Sequence, residues 1–415
     1  MDIDTDVCIV GGGPAGMTLA LLLLHSGARV VVAERAKSFD REYRGEILQP
    51  GAMALLDELG VLEPARRRGG YELTRFRLIE HDRVLMDIDY GTLPRPYDFL
   101  LSIPQRHLLE ELLAACRRYT GFTYLDGCSL RELLREGSRV TGARCAGGDR
   151  EHLIRAHVVV GADGRYAKSR QLANIDYRRL DAFDHDVLWL RIPAEQRSTR
   201  DVRVYRAGGN PVLIYDSFPD SIQIGWTLPH SGYRELARQG FDEVKAQILR
   251  AVPLYSDTID AQLRDMRDLT LLDVFSGAAM RWSADGFVLA GDSAHTHSPI
   301  GAQGINLAIQ DAVLLHPVLI ESLHLGDAAA ETLGSWEAAR RVDIDKVFAL
   351  QVRQSKAMLG GNDSRVGRLL RPAVAGLLAH TPIYRKILRQ IAHGSRPIRI
   401  RSDLFTADYQ GRETA

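Results

Sequence analysis

Long hydrophobic runs are missing from this sequence. The longest near the N-terminus, LALLLL at residues 19 to 24, falls far short of the roughly 18 to 20 apolar residues a membrane-spanning helix needs. It follows a glycine loop rather than a basic stretch, and no small-residue cleavage site comes after it, so it is not read as a signal peptide. Cysteine is scarce. Cys8, Cys116, Cys128 and Cys145 contain no C-x-x-C pair and no zinc-knuckle or disulfide spacing, which leaves free buried thiols in a reducing compartment. Neither sign of charge is in excess, since Lys+Arg and Asp+Glu both total 53, so bulk charge draws the chain neither to nucleic acid nor to a membrane. Internal repeats and low-complexity tracts are absent as well. The expectation is a cytoplasmic globular protein whose 415 residues can bury a sizeable core.

One local bias departs from this balance. Between Gly361 and Arg401 the only acid is Asp363, while Arg365, Arg368, Arg371, Arg385, Lys386, Arg389, Arg396, Arg399 and Arg401 crowd in. A solvated helix face followed by a tail is the preferred reading, with peripheral contact to an anionic partner or membrane surface as the alternative. The sequence says nothing of oligomeric state.

What is present begins with DVCIV at 6 to 10, a β-branched run, followed at once by GGGPAG. A helical pattern then runs to His25, a turn falls at Ser26-Gly27, and ARVVVAE ends at Glu34. Strand, glycine turn, helix and strand within about 30 residues make a βαβ unit of a buried parallel sheet. Helices are expected over 50–66 and 105–119, alternating strands over 75–90, a β pair over 122–145, and a strand running into GADG at 161–164. From about 172 to 280 short period-2 strands, DVLWLRI, DVRVYRA, PVLIYDSF and SIQIGWTLP, predict an antiparallel meander, with a helix at 240–252 after it. The chain returns to GFVLAGDSAH at 286–295 and is almost wholly helical from 302 to 360.

Gly11, Gly13 and Gly16 occupy the three positions of G-x-G-x-x-G. The tight turn, the approach of backbone to a pyrophosphate and close helix–strand packing each exclude a side chain there. The helix beginning near Pro14 and Ala15 then aims its free N–H groups at the phosphates. Glu34, with Arg35 beside it, ends the next strand in the place of the acid that holds a ribose. A dinucleotide is implied, without a choice between NAD and FAD.

GADG and GDSAH each end an apolar strand with an aspartate. With GGGPAG, in this order and at these separations, they resemble the three fingerprints of the single-component FAD-dependent aromatic hydroxylases of the para-hydroxybenzoate hydroxylase type. The resemblance runs to about residue 360. It implies an α/β fold: a glutathione-reductase-like, Rossmann-type FAD domain with an antiparallel-sheet substrate domain and C-terminal helices. The expected segments are 1–73, 105–172 and 281–360 for FAD, 74–104 and 173–280 for substrate, and 361–415 as a basic helical segment and tail.

The same resemblance assigns residues. The stretch RGEILQPGAMALLDELG places Arg44 at the FAD pyrophosphate, and Gln105 matches a glutamine that contacts the flavin side chain. Asp163 matches an aspartate implicated in FAD and NAD(P)H binding. Asp292, after Gly291, matches the one that takes the ribityl hydroxyls. Pro299, Gly301, Gly304, Ile305 and Asn306 fall where backbone meets the isoalloxazine ring. A helix N-terminus after Gly304 suits negative charge on the reduced flavin, and glycines there let a flat ring lie against the chain.

The implied reaction is reduction of FAD by NAD(P)H, capture of O₂ as a flavin C4a-hydroperoxide and hydroxylation of a phenolic, polycyclic or quinolone-like aromatic. No second G-x-G-x-x-G and no C-x-x-x-x-C pair occur, which argues against two-dinucleotide-domain enzymes. Two alternatives stay open: reduction of a prenyl substrate, and flavin binding without turnover. A halogenase is disfavoured because GWTLP at 225–229 lacks the second tryptophan of W-x-W-x-I-P. Tyr205, Tyr215, Trp226 and Pro299 are candidates for the substrate wall. His295 and His297 make a poor metal set without further ligands, so no metal is expected. They are read as polar residues flanking the flavin, with proton transfer as their alternative role. Asp184, His185 and Asp186 are read as turn chemistry at the start of a strand.

Overall fold

The computed structural model describes residues 2–40, 46–80, 83–148, 150–180, 185–206, 210–230, 232–359 and 382–406. Strand Asp2–Val10 pairs in parallel with Val30–Ala33 on one side and Arg150–Gly161 on the other. Phe122–Leu125 extends the sheet beyond Val30–Ala33, and Phe287–Leu289 joins in parallel beyond Arg150–Gly161. The expected β pair at 122–145 therefore divides. Its first strand enters the parallel sheet, while Ser129–Glu136 and Arg139–Gly147 form an antiparallel flap on Arg150–Gly161. The inner segments of the parallel strands, Val7–Val10, Val30–Ala33, Val158–Val160 and Phe287–Leu289, are apolar and buried. Helix Pro14–His25 is buried on nearly every side, and the long helix Gly304–Leu325 packs on it.

A seven-stranded sheet forms the second layer. Its order is Thr270–Leu272, His185–Pro193, Ser221–Pro229, Val212–Ser217, Asp201–Tyr205, Arg75–Glu80 and Arg83–Asp89. Thus the strands expected at 75–90 and the meander form one surface. It is not wholly antiparallel, since Asp201–Tyr205 runs parallel to Arg75–Glu80. Both faces of its central strands are buried. One face packs on helices Phe241–Ala251 and Ser256–Gln262 through Leu188, Ile224, Val244 and Ile259, and the other faces the first layer.

The helix expected at 50–66 is two, Pro50–Glu58 and Leu62–Arg67, broken where Gly60 takes φ +69°. All four cysteines are buried and unbridged. Among the described residues no helix is long and apolar enough to cross a membrane.

Candidate active site

The parallel register brings three distant loops to one edge of the sheet. Strands Asp2–Val10, Arg150–Gly161 and Phe287–Leu289 all end there, at the carboxyl edge where open α/β sheets bind ligands. Gly11 has φ +114°, and a Cβ on it would lie 2.3 Å from the Ala162 carbonyl oxygen, so GGGPAG rests directly on GADG. A Cβ on Gly16 would lie 2.0 Å from the Gly11 carbonyl oxygen, which fixes helix Pro14–His25 against its own turn. GDSAH closes the group: a Cβ on Gly291 would meet the Ala15 Cβ at 3.1 Å.

Two of the fingerprint carboxylates are engaged with the protein. Glu34 is buried and accepts from the Gly12 amide at 2.7 Å and the Ala36 amide at 2.9 Å, which fixes the turn from both sides. Asp163 accepts from the Ser169 amide (2.9 Å) and Ser169 Oγ (2.5 Å), capping helix Lys168–Leu172, and from Ser293 Oγ at 3.3 Å. It thereby ties GADG to GDSAH. Asp292 is half-buried, with Arg165 Nε 3.8 Å from its Oδ2. Arg35 is exposed, Gln105 opens helix Gln105–Cys116, and Arg44 lies outside the described residues.

The space beside these loops fits a flavin dinucleotide. A Cβ on Gly13 or Gly304 would meet nothing within 4 Å. Each of these glycines stands at the start of a helix, Pro14–His25 or Gly304–Leu325, and neither helix has a side-chain cap. Two open helix N-termini therefore offer amides and positive dipole ends to a pyrophosphate and to an anionic ring edge.

The loop Ser298–Ala302 is held from three sides. Gln351 Nε2 donates to the carbonyls of Ser298 (2.9 Å) and Ile300 (2.8 Å), Gln49 Nε2 to Gly301 (2.9 Å), and Gln303 Nε2 also to Gly301 (3.0 Å). Asn306 accepts from the Gln49 amide at 2.8 Å and donates to the Ala302 carbonyl, so its side chain organises the loop.

Behind that loop lie the two histidines. His295 Nδ1 and His297 Nε2 are 3.1 Å apart, and His297 stacks on Phe348. The other nitrogen of His295, Nε2, stands 2.8 Å from Asp311 Oδ2. Arg340 Nε donates to Asp311 Oδ1 at 2.7 Å. Burial alone would raise the Asp311 carboxyl, but His295 and Arg340 beside it bring it down to about 2. Burial, reinforced by His295, holds His297 well below the ordinary histidine value, so it is neutral. Among the described residues no group of three His, Cys, Asp or Glu is placed to hold a metal ion.

On the other side of the loop, against the second layer, is a largely apolar, partly open pocket of about 130 Å³. Strand His185–Pro193 supplies His185, Val187 and Trp189, its neighbours Gly225 and Thr227, and the loop Ser298 to Ala302 closes the floor. Pro299 is among the lining residues. Tyr215 faces the same side but packs behind Trp189, ring centres 6.1 Å apart. Tyr205 and Trp226 point the other way, into the core beneath the helices, which corrects the expectation that they wall the site. The physical reason is alternation: Val204 and Thr227 face the pocket, so their immediate neighbours cannot.

The sequence reading missed Gln49, Tyr90, Trp189 and Gln351 and set His185 aside. Gln49 alone had a local signal, since it directly precedes the Pro50-Gly51 helix start. The described part of the basic C-terminal segment is partly neutralised, with Arg396 paired to Asp343 and Arg401 to Asp403, each at 2.7 Å.

Comparison with known proteins agrees with this geometry. A family model described as FAD binding domain matches residues 4–350. The chain is 56% identical over 401 residues to 6-methylpretetramide 4-monooxygenase of Streptomyces rimosus, covering 97% of this chain and 95% of that protein. It is 26% identical over 363 residues to protoasukamycin 4-monooxygenase of Streptomyces nodosus subsp. asukaensis, covering 84% and 87%. The solved structure of p-nitrophenol 4-monooxygenase PnpA from Pseudomonas putida DLL-E4 superposes with a TM-score of 0.78 over 95% of this chain and 99% of that one; at 18% identity this shows the fold alone. The chain belongs to the FAD binding domain family and is an FAD-dependent aromatic monooxygenase that uses NAD(P)H and O₂.

Proposed function

We propose that the enzyme hydroxylates a flat, fused-ring phenol of the aromatic polyketide class, close in kind to the 6-methylpretetramide named for its 56%-identical relative. One observation carries this choice over a small aromatic acid. No lysine or arginine is among the described residues lining the pocket, and His185 is the one basic side chain there, so a carboxylate would find no permanent counter-charge in a largely apolar chamber. Length supports it too. From His185 to Trp189 the wall spans four residue steps, about 13 Å of strand, the long dimension of several fused rings, and the pocket is partly open, so such a molecule can extend beyond it.

In the proposed placement the Gly13 amide and the start of helix Pro14–His25 receive the pyrophosphate. Glu34 and Arg35 serve the adenosine end, and Asp292 receives the ribityl chain. Gln105 contacts the same chain, and the backbone from Pro299 to Asn306 meets the ring. Open space at Gly13 and Gly304 and uncapped helix starts support this assignment. Once bound, the flavin supplies the electron transfer from nicotinamide and the activation of O₂. The overall balance is ArH + NAD(P)H + H⁺ + O₂ giving ArOH + NAD(P)⁺ + H₂O. The chain's own part is to hold the substrate against Ser298–Ala302 and to keep water out. Phe76, Val187, Trp189, Val202, Leu213 and Val274 do the second task.

The test is turnover by the purified yellow protein with NADPH or NADH in air. 6-Methylpretetramide should stimulate nicotinamide oxidation and gain one oxygen by mass spectrometry, and 4-hydroxybenzoate should do neither. Preference for the benzoate would overturn the reading.

A further inference from the structure

The loop Ser298–Ala302 gives its carbonyls to the protein. That of Ser298 accepts from Gln351 Nε2 at 2.9 Å, that of Pro299 from the Ala302 amide at 3.0 Å, and that of Ile300 from Gln351 Nε2 at 2.8 Å. Gly301 accepts from Gln49 and Gln303, Ala302 from Asn306, and Gln303 from the Leu307 amide at 2.9 Å. Every carbonyl from Ser298 to Gln303 is thereby engaged. The amides that follow are not: in the first turn of helix Gly304–Leu325 they have no carbonyl of the helix to donate to, and the helix has no side-chain cap.

Gln351 is 1% exposed, and the two donors of its amide are both spent on this loop. It stands one turn beyond Phe348 on helix Glu337–Leu359, and Phe348 stacks on His297 behind the loop. Gln351 therefore draws the Ser298 and Ile300 carbonyls to the side away from the pocket, which the same loop borders on its other side. The shape it holds is not one the chain prefers. Gly301 and Ala302 take φ +75° and +51° in succession, and an alanine stays in that left-handed region only where its surroundings impose it.

We propose that Gln351 is a positioning residue for flavin reduction: by holding two carbonyls at the back of the loop, it leaves the ring a surface of positive polarity that ends in the first-turn amides of helix Gly304–Leu325. This rests on the placement of the ring against Pro299 to Asn306. Reduction adds two electrons and one proton to the flavin and leaves one negative charge on the ring at neutral pH. Amides and a positive helix end favour that charge, and a carbonyl oxygen turned toward it opposes it. Acting through the loop, Gln351 thus raises the reduction potential of the bound flavin and makes hydride acceptance from NAD(P)H more favourable. Gln354, three residues further along the same helix, supplies the contrast. Its Oε1 is 3.5 Å from where a Cβ on Gly301 would lie, yet among the described residues its side chain donates to no carbonyl of the loop.

The experiment uses the FAD-loaded enzyme without substrate, so its outcome is independent of the aromatic class. Wild type is compared with Gln351→Met, which keeps the length of the side chain without a donor, with Gln351→Glu as the second variant and Gln354→Met as the control. The potential is read by anaerobic equilibration with a reference dye, and the affinity for oxidised FAD by fluorescence titration. In the Gln351 variants, reduced flavin should bind at least about tenfold more weakly relative to oxidised flavin, about 30 mV lower for a two-electron couple, while affinity for oxidised FAD moves no more than about threefold. Gln354→Met should match wild type. An unchanged ratio in a folded Gln351 variant overturns the assignment, as does the same fall in Gln354→Met, which would make the effect one of packing. Failure of both Gln351 variants to fold would make the residue a support of the fold alone and overturn it too. Gly304→Val, which puts a side chain into the open space at that helix start, separates the premise from the proposal. No change in the visible spectrum or affinity of FAD in Gly304→Val overturns the ring placement and the role of Gln351 with it, whereas a change there beside an unaltered ratio in the Gln351 variants overturns the role of Gln351 alone.

Discussion

His295 Nε2 and Asp311 Oδ2 lie 2.8 Å apart, with 1% and 0% of their side chains exposed. Asp311 is the centre of a closed set. It also accepts from the Gly291 amide at 2.9 Å and from Arg340, so it joins the GDSAH turn to helices Gly304–Leu325 and Glu337–Leu359. The histidine pair is thus part of the frame behind the loop, which accounts for two histidines in a place where a metal site would need more ligands.

Asp311→Asn should test that frame. The change keeps shape but leaves Arg340 buried beside a neutral amide, and breaking a buried pair in this way costs roughly 3 to 5 kcal/mol. A fall in melting temperature of several degrees is expected, with FAD lost more easily on dialysis. Unchanged melting temperature and flavin content would show that Arg340 and His295 find other partners.

The glycine loop offers a sharper contrast, because two of its glycines are required for different reasons. A Cβ on Gly16 collides with backbone at 2.0 Å, whereas one on Gly13 meets only open space, and Gly13 has φ −84° and ψ −173°, which alanine adopts freely. Gly16→Ala should therefore fail to fold. Gly13→Ala should give apoprotein of normal stability whose FAD affinity is at least about tenfold weaker, since only a bound pyrophosphate needs that space. Equal FAD affinity in Gly13→Ala, read by flavin fluorescence titration, would move the pyrophosphate elsewhere.

The glycine turns at the carboxyl edge of the parallel sheet were legible in the sequence and the pocket wall was not, for a physical reason. Glycine positions such as Gly11 and Gly16 are set by local backbone and close approach, and these leave a residue signature. The pocket wall depends on which face of a strand points inward. Strand Ser221–Pro229 alternates, with Ile222, Ile224, Trp226 and Leu228 on one face and Gln223, Gly225 and Thr227 on the other, but both faces are buried at Ile222–Trp226, so the pattern alone does not say which face borders the pocket. Trp189 was hidden in the same way within DVLWLRI, and His185 was masked by acidic neighbours that read as a turn. The Gln351 clamp joins residues more than 50 positions apart, a pairing that only the fold reveals.

Gly225 tests the wall. A Cβ there would sit 2.8 Å from Trp189 Cζ3, so the indole lies flat on the strand only because residue 225 has no side chain. Gly225→Val should drive Trp189 into the pocket. Since neither residue is near the glycine loop or GDSAH, KM for 6-methylpretetramide should rise about tenfold or more with FAD content unchanged. A KM within twofold of wild type would show that the indole does not border the substrate.

Acid should destabilise the protein through three buried neutral imidazoles. Burial, aided by His316, depresses His25 to about 3, and burial with nearby Arg401 depresses His316 to about 4. His297 is depressed by burial as well. Unfolding returns each to its ordinary value of 6.5. Between that value and the folded one, the unfolded chain binds more protons than the folded chain, so stability is fully present above about pH 6.5 and is lost as pH falls toward 4. Each group contributes at most about 1.4 kcal/mol per pH unit across its window. Melting temperature should therefore fall steadily from pH 7 to pH 5. His316→Gln, whose amide can still reach Ser26 Oγ in place of the 2.8 Å contact from His316 Nε2, should flatten that slope. A slope identical to wild type would mean that His316 is protonated in the folded protein and plays no part in its acid sensitivity.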